Sequence, residues 1–481
     1  MKNEVIMMNS SILLIIAYVV SILSAISLIF IERKEPNTTW AWLLILFVLP
    51  GVGFIIYLIF GQNLSRQKIF REKKVVDEKK SKVLMEKFKE EKEKGASSEF
   101  MELVRMNYTH SGALYTEGNS LTTFIDGEKK FEALINDIRD AKEFIHIEYY
   151  IFRMDNLGKT LIDELSKKVK DGVEVRFVVD AMGSKSIRNK DIKYIRSLGI
   201  KFHIFFPGIL PLINIRLNFR NHRKIVVIDG EVGYVGGFNV GDEYVNKGDQ
   251  FDYWRDTHIR IEGKAVNELN KRFILDWDYA SEGELKNYDK YFKLQEDSGN
   301  IGIQIVSSGP DHKEEYIKNA YMKIINNAKE SVYIQTPYLV PDEPMKEALK
   351  IAALSGIDVR IMVPDKPDHF FMKWILSANM GDLMEWGVKF YTYQKGFIHS
   401  KTIVSDGKVC SIGTANLDIR SFQLNFEINA IIYDDKVSKE QEDIFIKDIE
   451  DCKLVTMEEY ESRSRALKIK EALIRLVAPI L

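Results

Sequence analysis

Hydrophobic residues are concentrated in two uncharged runs near the start of the chain. The first run covers residues 5–31 and the second covers residues 36–65, with four charged residues between them. A helix needs about 20 apolar residues to cross the hydrocarbon core of a bilayer. Neither run has the polar stripe of a helix that packs on a soluble core. The pattern predicts a transmembrane hairpin over residues 1–62, with helices at about 10–31 and 39–60.

Basic residues are enriched directly after the second run. Residues 61–80 contain seven Lys or Arg and three acidic residues, whereas the loop between the runs contains two basic residues. The positive-inside rule then predicts a multi-pass protein of the cell membrane with its C-terminal body in the cytoplasm. Residues 63–96 are predicted to form a basic, charged linker helix. This helix can lie on an anionic leaflet or in solvent, and the two interpretations are compatible.

Beyond residue 97 the pattern changes to short apolar strands that alternate with amphipathic helical stretches, which is typical of βαβ organisation. The pattern also repeats, because segments 141–152, 172–180 and 221–239 resemble segments 328–339, 356–365 and 398–416. The repeat predicts an α/β fold made of two tandem units related by pseudo-two-fold symmetry. We place the units at residues 97–300 and 301–481.

Composition narrows the possible functions. The 481 residues are 46% hydrophobic and 29% charged, and 68 Lys and Arg against 70 Asp and Glu give a net charge of −2. That balance argues against a protein that coats nucleic acid. Two cysteines are too few for a disulfide framework or a structural zinc site, and the eight histidines show no metal-ligand spacing. We therefore expect no metal and no organic cofactor.

The third repeated segment contains the residues with catalytic potential. The pattern H-x-K-x4-D occurs in it twice, as His222, Lys224 and Asp229 and as His399, Lys401 and Asp406, and each Asp is followed ten residues later by an Asn, Asn239 or Asn416. Alternate residues of a strand share a face, so His and Lys are expected to project together. The Asp-Gly dipeptides predict hairpin turns. One such pattern is weak, but two copies with equal spacing indicate a shared ligand, because polar side chains in apolar strands are costly to bury without one.

These residue types suit phosphate chemistry without a metal. Lys and Asn side chains donate hydrogen bonds to non-bridging phosphate oxygens. One imidazole can attack phosphorus, and the other can protonate the leaving oxygen, which gives a covalent phosphohistidine intermediate. Each ring needs an acceptor at its other nitrogen. The candidates are Asp256, 34 residues past His222, and Glu427, 28 residues past His399, although each could simply begin an apolar strand.

The twin motif resembles the phospholipase D superfamily over residues 120–435, and the N-terminal hairpin resembles that of bacterial cardiolipin synthases. The resemblance implies phosphatidyl transfer between two phosphatidylglycerol molecules, which gives cardiolipin and glycerol. It also implies that the His, Lys and Asp of both motifs matter, with the two Asp structural at their turns. Symmetry alone leaves the roles of the histidines open. The resemblance favours His222 as the nucleophile and His399 as the general acid and base.

The same motifs allow other functions. A phospholipase D-type lipid hydrolase or a phosphatidylserine synthase would use the same phosphohistidine with a different acceptor. A membrane-tethered nuclease and a non-catalytic membrane scaffold are less favoured, because charge is near neutral and both motifs are complete. Phosphatidylglycerol and membrane lipid are the expected partners, and no nucleic acid is expected. The sequence leaves the acceptor and the oligomeric state open. Arg420 and Ser421, shortly after Asn416, are further candidates for contact with a headgroup phosphate.

Overall fold

A computed structural model of the chain describes residues 2–27, 29, 36–57, 70, 72–81, 99–206, 219–285, 287–368 and 372–477. The N-terminal part contains the helices Lys2–Ser27 (α1), Pro36–Val48 (α2) and Val52–Ile56 (α3). These helices pack on one another, and their contact buries Trp42, Leu46 and Tyr57. Parts of both predicted membrane helices, including residues 30–31 and 58–60, lie outside the described residues.

The N-terminal helices differ from the predicted hairpin. The helix predicted at about 39–60 is interrupted, because α2 ends at Val48 and helical structure resumes only at Val52. Pro50 lacks the N–H that a helix interior needs, and Gly51 has a φ of 84°, so the helix is interrupted at these residues. The first helix begins at Lys2 rather than near residue 10. Within the described residues, no helix has both the length and the apolar character needed to cross a membrane.

The first unit of the body contains nine strands and five helices among its described residues. The strands are Tyr115–Phe124 (β1), Phe144–Tyr149 (β2), Glu174–Asp180 (β3), Lys201–Phe205 (β4), Arg220–Asn221 (β5), Ile225–Ile228 (β6), Val232–Gly236 (β7), Trp254–Arg255 (β8) and His258–Glu262 (β9). The helices are Met101–Ser111 (α4), Gly127–Asp140 (α5), Asn156–Lys170 (α6), Asn189–Ser197 (α7) and Ala265–Ala280 (α8).

The second unit repeats this order of elements. Its strands are Ile301–Ser308 (β10), Ser331–Gln335 (β11), Leu339–Val340 (β12), Asp358–Pro364 (β13), Lys389–Tyr393 (β14), Phe397–Ile398 (β15), Thr402–Ser405 (β16), Val409–Gly413 (β17), Leu417–Asp418 (β18), Asn425–Tyr433 (β19) and Cys452–Val455 (β20). Its helices are Tyr316–Asn327 (α9), Glu343–Leu354 (α10), Met372–Met384 (α11), Ile419–Gln423 (α12), Asp435–Ile449 (α13), Met457–Glu461 (α14) and Arg465–Val477 (α15).

The predicted βαβ organisation is present in the first unit. Strands β2 and β3 pair in parallel, with Phe144 opposite Glu174, and α6 connects them. Asp155 caps α6 by accepting a hydrogen bond from the backbone N–H of Gly158 at 3.2 Å. Leu161 and Leu165 of this helix are buried in the core of the unit. Their spacing of four residues places both on the face that covers the sheet.

One large sheet runs through both units. Read outward from β1, its order is β9, β7, β6, β2, β3 and β4, and read outward from β10 it is β19, β17, β16, β11, β13, β14 and β20. The two halves join where β1 pairs antiparallel with β10, with Tyr115 opposite Gln304. Apart from the additional β20, the strand order is the same on both sides of this junction. The prediction of an α/β protein with two tandem units is confirmed.

Two short strand pairs cross between the units and carry the motifs. Strand β5, directly before His222, pairs in parallel with the start of β19. Strand β15, directly before His399, pairs in parallel with β8. The backbone N–H of His222 donates to the carbonyl of Phe426 at 2.9 Å, and that of His399 donates to the carbonyl of Arg255 at 2.7 Å. Each motif is therefore held against the other unit.

Of the predicted linker helix at 63–96, the structure describes residue 70 and residues 72–81, which are helical. We call residues 70–81 the connecting helix, with residue 71 outside the described residues. Phe70 is fully buried against the body, and the side chains of Lys73 and Asp77 are also buried. Lys74 and Glu78, on the other side, remain exposed. The connecting helix is thus docked on the body along one face.

Candidate active site

The two H-x-K segments lie just before strands rather than within them. Strand β6 begins at Ile225 and β16 begins at Thr402, one residue after each motif lysine. The expectation that His and Lys belong to these strands is therefore wrong in detail. The lysine ammonium groups fold back on the same segments, because Lys224 donates to the carbonyl of His222 at 2.7 Å and Lys401 donates to that of His399.

The motif aspartates stabilise the hairpin turns. Asp229 accepts hydrogen bonds from the backbone N–H groups of residues 142–144 at 2.7 to 2.8 Å. Asp406 accepts equivalent bonds from residues 329–331 at 2.8 to 2.9 Å. Both aspartates have positive φ, 53° and 55°, which a non-glycine residue adopts mainly in tight turns. Each carboxylate thus ties its hairpin to the start of the neighbouring strand, β2 or β11.

His222 has a buried carboxylate partner. Its Nδ1 lies 2.9 Å from Oε2 of Glu427, whose side chain is fully buried. The hydroxyl of Thr414 donates to the same oxygen at 2.5 Å, and the amide of Asn425 donates to Oε1 at 3.2 Å. A carboxylate can only accept, so Nδ1 of His222 carries the proton and Nε2 has a free lone pair. This is the tautomer that a nucleophile or base requires.

His399 has an equivalent partner of a different residue type. Its Nδ1 lies 2.6 Å from Oδ2 of Asp256, which is also fully buried. The other oxygen of Asp256 accepts from the backbone N–H of Thr257 at 2.7 Å. A Cβ on Gly237 would come within 1.9 Å of this carboxylate, so only glycine leaves room for it there. The equivalent position in the second unit is Thr414, which contacts Glu427 through its hydroxyl.

The carboxylates are exchanged between the units. Asp256 follows His222 and Glu427 follows His399 within the same unit. The contacts run across the units, since Glu427 binds His222 and Asp256 binds His399. The reason lies in the crossed strand pairs, β5 with β19 and β15 with β8, which align each histidine with the carboxylate strand of the other unit.

Burial and like charges set the protonation of the site. Burial lowers the pKa of Lys224 to about 7 and that of Lys401 to about 8. Burial and the charges of the two lysines together lower the pKa of both histidines, to about 3 for His399. Desolvation raises the pKa of Glu427, but the nearby His222 and Lys224 outweigh it, so the net shift is downward. The site therefore holds neutral histidines between carboxylates and weakly basic lysines.

The two candidate asparagines have different surroundings. The side-chain oxygen of Asn239 accepts from the backbone N–H of Ile151 at 3.1 Å, and its amide donates to the hydroxyl of Tyr244 at 3.3 Å. Asn416 is buried, and its side-chain oxygen has no hydrogen-bond partner among the described residues. The backbone N–H of Asn416 donates to the hydroxyl of Ser421 at 3.2 Å, so Ser421 contacts the Asn416 loop.

Further side chains at the site have no signature in the motif. The ring of Tyr150 meets that of His222 edge to face at 4.8 Å, and Lys224 lies 5.3 Å from the same ring. Burial and Asp180 raise the pKa of Tyr150, and Arg220 opposes them. Burial and the neighbouring Arg220 lower the pKa of Arg420. The sequence signal for them is position alone: Tyr150 lies near the end of the first repeated segment, and Arg220 precedes His222 by two residues.

No described group of three or more His, Cys, Asp or Glu side chains is arranged to hold a metal ion. The groups that meet at the motifs are two imidazoles and two ammonium groups. Ammonium N–H groups suit the oxygens of a phosphodiester, and the free Nε2 of a carboxylate-bound imidazole suits attack on its phosphorus. The arrangement is therefore suited to phosphoryl transfer with two histidines.

Comparisons with known proteins agree with this chemistry. The family described as "Cardiolipin synthase, PLD-like domain" matches residues 134–277 and 321–449, and the family described as "Phospholipase_D-nuclease N-terminal" matches residues 19–62. The chain is 50% identical over 458 residues to a cardiolipin synthase of Clostridium perfringens, which covers 94% of this chain and 96% of the relative. It is 49% identical to cardiolipin synthase 2 of Staphylococcus epidermidis, with 98% of both chains covered.

A solved structure extends the likeness to the fold. The phosphatidylserine synthase of Haemophilus influenzae superposes with a TM-score of 0.60, at 15% identity, and covers 79% of this chain and 100% of that structure. At this identity the superposition shows the shared fold alone. The two families matched by sequence and the relatives near 50% identity carry the assignment: the chain belongs to the cardiolipin synthase family of the phospholipase D superfamily, and the predicted phosphatidyltransferase of cardiolipin synthesis is confirmed.

Proposed function

We propose that the chain transfers a phosphatidyl group from one phosphatidylglycerol to a second, through a phosphatidyl group bound to His222. One observation supports the proposal above the others: each motif histidine has its Nδ1 on a buried carboxylate and shares the site with both motif lysines. The relatives named cardiolipin synthase favour phosphatidylglycerol over serine or water as the acceptor.

In the first step Nε2 of His222 attacks the donor phosphorus, and the bond to the glycerol oxygen breaks. Glu427 stabilises the imidazolium that forms, because Nδ1–H stays hydrogen-bonded to it. Lys224, Lys401 and Asn416 bind the non-bridging oxygens as negative charge develops on them. His399 gives its Nε2 proton to the departing glycerol oxygen.

The donor group must itself promote the protonation of His399. In the free protein the charges of Lys401 and Lys224 help to lower the pKa of His399 to about 3, together with burial. A phosphodiester anion bound between the lysines neutralises their charge, so its arrival raises the pKa of His399. Asp256 then stabilises the charged ring at Nδ1. Substrate binding and uptake of the catalytic proton are thereby coupled.

In the second step the roles reverse. A hydroxyl of the acceptor phosphatidylglycerol loses its proton to Nε2 of His399 and attacks the phosphorus on His222. The phosphorus–nitrogen bond breaks, the electron pair returns to His222, and cardiolipin leaves. Both histidines end in their starting protonation states, so the cycle consumes no cofactor.

The N-terminal helices are the proposed membrane attachment. They expose large apolar side chains, with Leu13 70%, Trp40 72% and Phe47 78% exposed. Exposed surface of this kind is stable in lipid and costly in water. We propose that they insert in the cell membrane as the two-pass hairpin inferred from the sequence. The basic residues after them would then hold the catalytic body on the cytoplasmic side.

The test is a single incubation of the purified protein with vesicles of phosphatidylglycerol alone, followed by mass spectrometry of the lipids. Cardiolipin and glycerol in equal amounts are expected. A protein in which both His222 and His399 are replaced by Asn is the matched control and should give neither product. Phosphatidic acid as the sole lipid product would show a hydrolase. Formation of a phosphatidylserine product only after serine is added would show the other acceptor class.

A further inference from the structure

The connecting helix packs against residues that lie next to His222 and Glu427 in the chain. Phe70 is fully buried, and its ring centroid lies 5.1 Å from that of Phe219 and 5.4 Å from that of Phe426. Phe426 directly precedes Glu427, and Phe219 lies three residues before His222. Phe70 therefore packs beneath both strands, β5 and β19, whose pairing places His222 beside Glu427.

A buried charge network continues from the connecting helix to the motif. Nζ of Lys73 lies 2.6 Å from Asp77, 3.4 Å from Asp276 and 3.7 Å from Asp311. Arg272 bridges Asp77 at 2.9 Å and Asp276 at 2.8 Å. The network is the set Lys73, Asp77, Arg223, Arg272, Asp276 and Asp311.

The end of the network is the middle residue of the first H-x-K motif. Arg223 donates to Asp276 at 2.6 Å, to the carbonyl of Glu427 at 3.1 Å and to the carbonyl of Ser308 at 3.0 Å. It lies between His222 and Lys224, so its position fixes the backbone that carries both. Its contact with the Glu427 carbonyl fixes the partner of His222 as well.

Charge balance makes Lys73 essential to this arrangement. The network contains three cations and three carboxylates, and Lys73 is the cation that the connecting helix supplies. Burial favours the neutral form of Asp276, but Arg223, Arg272 and Lys73 outweigh it, and its pKa is lowered. Removing Lys73 leaves an uncompensated buried carboxylate, which disturbs its remaining partners.

We propose that the connecting helix is a positioning element of the active site, with Lys73 acting through Asp276 and Arg223 on the His222–Glu427 pair. The segment that follows the N-terminal helices is then needed for the chemistry and does more than tether the body. The side chain of Lys73 is fully buried within the network, so it acts as a positioning residue. The inference rests on the proposed role of His222 as nucleophile.

The test separates positioning from simple loss of folded protein. The full-length protein is mixed with a phosphatidyl donor that carries a p-nitrophenol leaving group, with acceptor lipid omitted, and the release of p-nitrophenol is followed in the first turnover. The amplitude counts competent sites, and the rate constant reports how well they are aligned. Lys73→Met should keep the amplitude and lower the rate constant by about tenfold or more, as small misplacements of catalytic groups do.

Three companion variants complete the design. Lys74→Met removes the exposed neighbour that pairs with Glu78 at 3.7 Å, and it should behave as the wild type. Lys73→Arg keeps the cation and should retain most of the rate constant. Lys73→Met combined with Asp77→Asn restores charge balance, so it should be faster than Lys73→Met alone, and it provides the test if the single variant does not fold.

The outcomes distinguish the two proposals. No burst from the wild type would overturn the phosphohistidine mechanism itself. A normal wild-type burst with an unchanged rate constant in Lys73→Met would overturn the positioning role alone. A reduced amplitude with an unchanged rate constant would assign Lys73 to stability only and would also overturn it.

Discussion

The two halves of the active site contain the same catalytic groups on different supports. Both have a histidine, a lysine and a turn aspartate at equal spacing. The partner of His222 is Glu427, which also accepts from Thr414 and Asn425, whereas the partner of His399 is Asp256, which accepts from the backbone of Thr257. At equivalent positions, Thr414 donates its hydroxyl to Glu427 in one half, whereas Gly237 leaves room for the carboxylate of Asp256 in the other.

The residues packed behind each motif also differ between the two halves. Behind His222, Arg223 binds Asp276 of α8, and the connecting helix completes the network. Behind His399, Ser400 contacts Arg255 at 3.0 Å, and Arg255 binds Asp448 of α13 at 2.6 Å. The connecting helix contacts the first of these arrangements, where Nζ of Lys73 lies 3.4 Å from Asp276. Duplicated motifs therefore do not imply equal roles, because the surroundings can favour a nucleophile in one half and a proton carrier in the other.

Replacement of each histidine should have the largest effect and should affect the two halves of the site differently. His222→Asn and His399→Asn should each lower turnover by about 10⁴-fold or more, as losing a member of a catalytic triad does. With a donor that has a good leaving group, His399→Asn should still acquire a covalent phosphatidyl label, because that step needs no acid. His222→Asn should not be labelled. Mass spectrometry of the intact protein measures both, and a label on His222→Asn would reverse the two roles.

Replacement of the exchanged carboxylates should affect the two half-reactions separately. Glu427→Gln should slow label formation on His222 by about 10²- to 10³-fold, because the imidazolium loses its charged partner. Asp256→Asn should leave label formation with a good leaving group nearly intact and slow transfer to phosphatidylglycerol by a similar factor. Rapid-quench measurement of the two half-reactions tests this. The opposite pattern would mean that each carboxylate serves the histidine of its own unit.

The pH dependence should distinguish the two lysines. A lysine whose pKa is lowered loses its charge as pH rises through that pKa, which is about 7 for Lys224 and about 8 for Lys401. We expect kcat/KM to fall above these values by about tenfold per pH unit for each lysine. Because a bound phosphodiester holds both protons, kcat should fall less.

Arginine variants assign the two limbs of that profile. Lys224→Arg should remove the lower limb and Lys401→Arg the upper one, since arginine stays charged over this range. A kcat/KM that stays flat up to pH 10 in the wild type would show that neither lysine titrates in the free protein.

The turn aspartates should show the smallest difference between the two units, and the quantity affected is the free energy of unfolding. Asp229 is buried and Asp406 is half-buried, although each accepts three backbone hydrogen bonds. Asp229→Asn should lower the free energy of unfolding by about 2 kcal/mol and Asp406→Asn by about 1 kcal/mol. Denaturant titration in detergent measures both, with Lys408→Gln in the second hairpin as a surface control. Equal losses would show that burial of the turn does not matter.

The sequence alone was sufficient for the parts of the fold with local signals. Hydrophobic periodicity and the internal repeat predict two α/β units. The predicted Asp-Gly turns are present at Asp229 and Asp406. The break at Pro50 and Gly51 has a local signal as well, because proline lacks the N–H that a helix interior needs. Membrane criteria based on hydrophobic runs do not give the ends of such helices.

Contacts between distant segments cannot be predicted from the sequence alone. Nothing local to Asp256 or Glu427 shows which histidine each binds, since that depends on how the units face each other. The same holds for Lys73, which looks like one of several solvated lysines until Asp276 and Asp311 are placed around it. A charge pattern predicts which face of a helix is polar, but it does not predict which residues of the body that face contacts.

The exchange of carboxylates has a consequence for synthesis of the chain. His222 must wait for a partner that is 205 residues further along, and Asp256 must wait 143 residues for His399. A ribosome that has completed only the first unit has therefore made neither working pair. The N-terminal helices precede both units in the chain, so, inserted as proposed above, they would reach the bilayer while the rest is being translated. The nascent enzyme would thus be delivered to its lipid substrate before it is able to react with it.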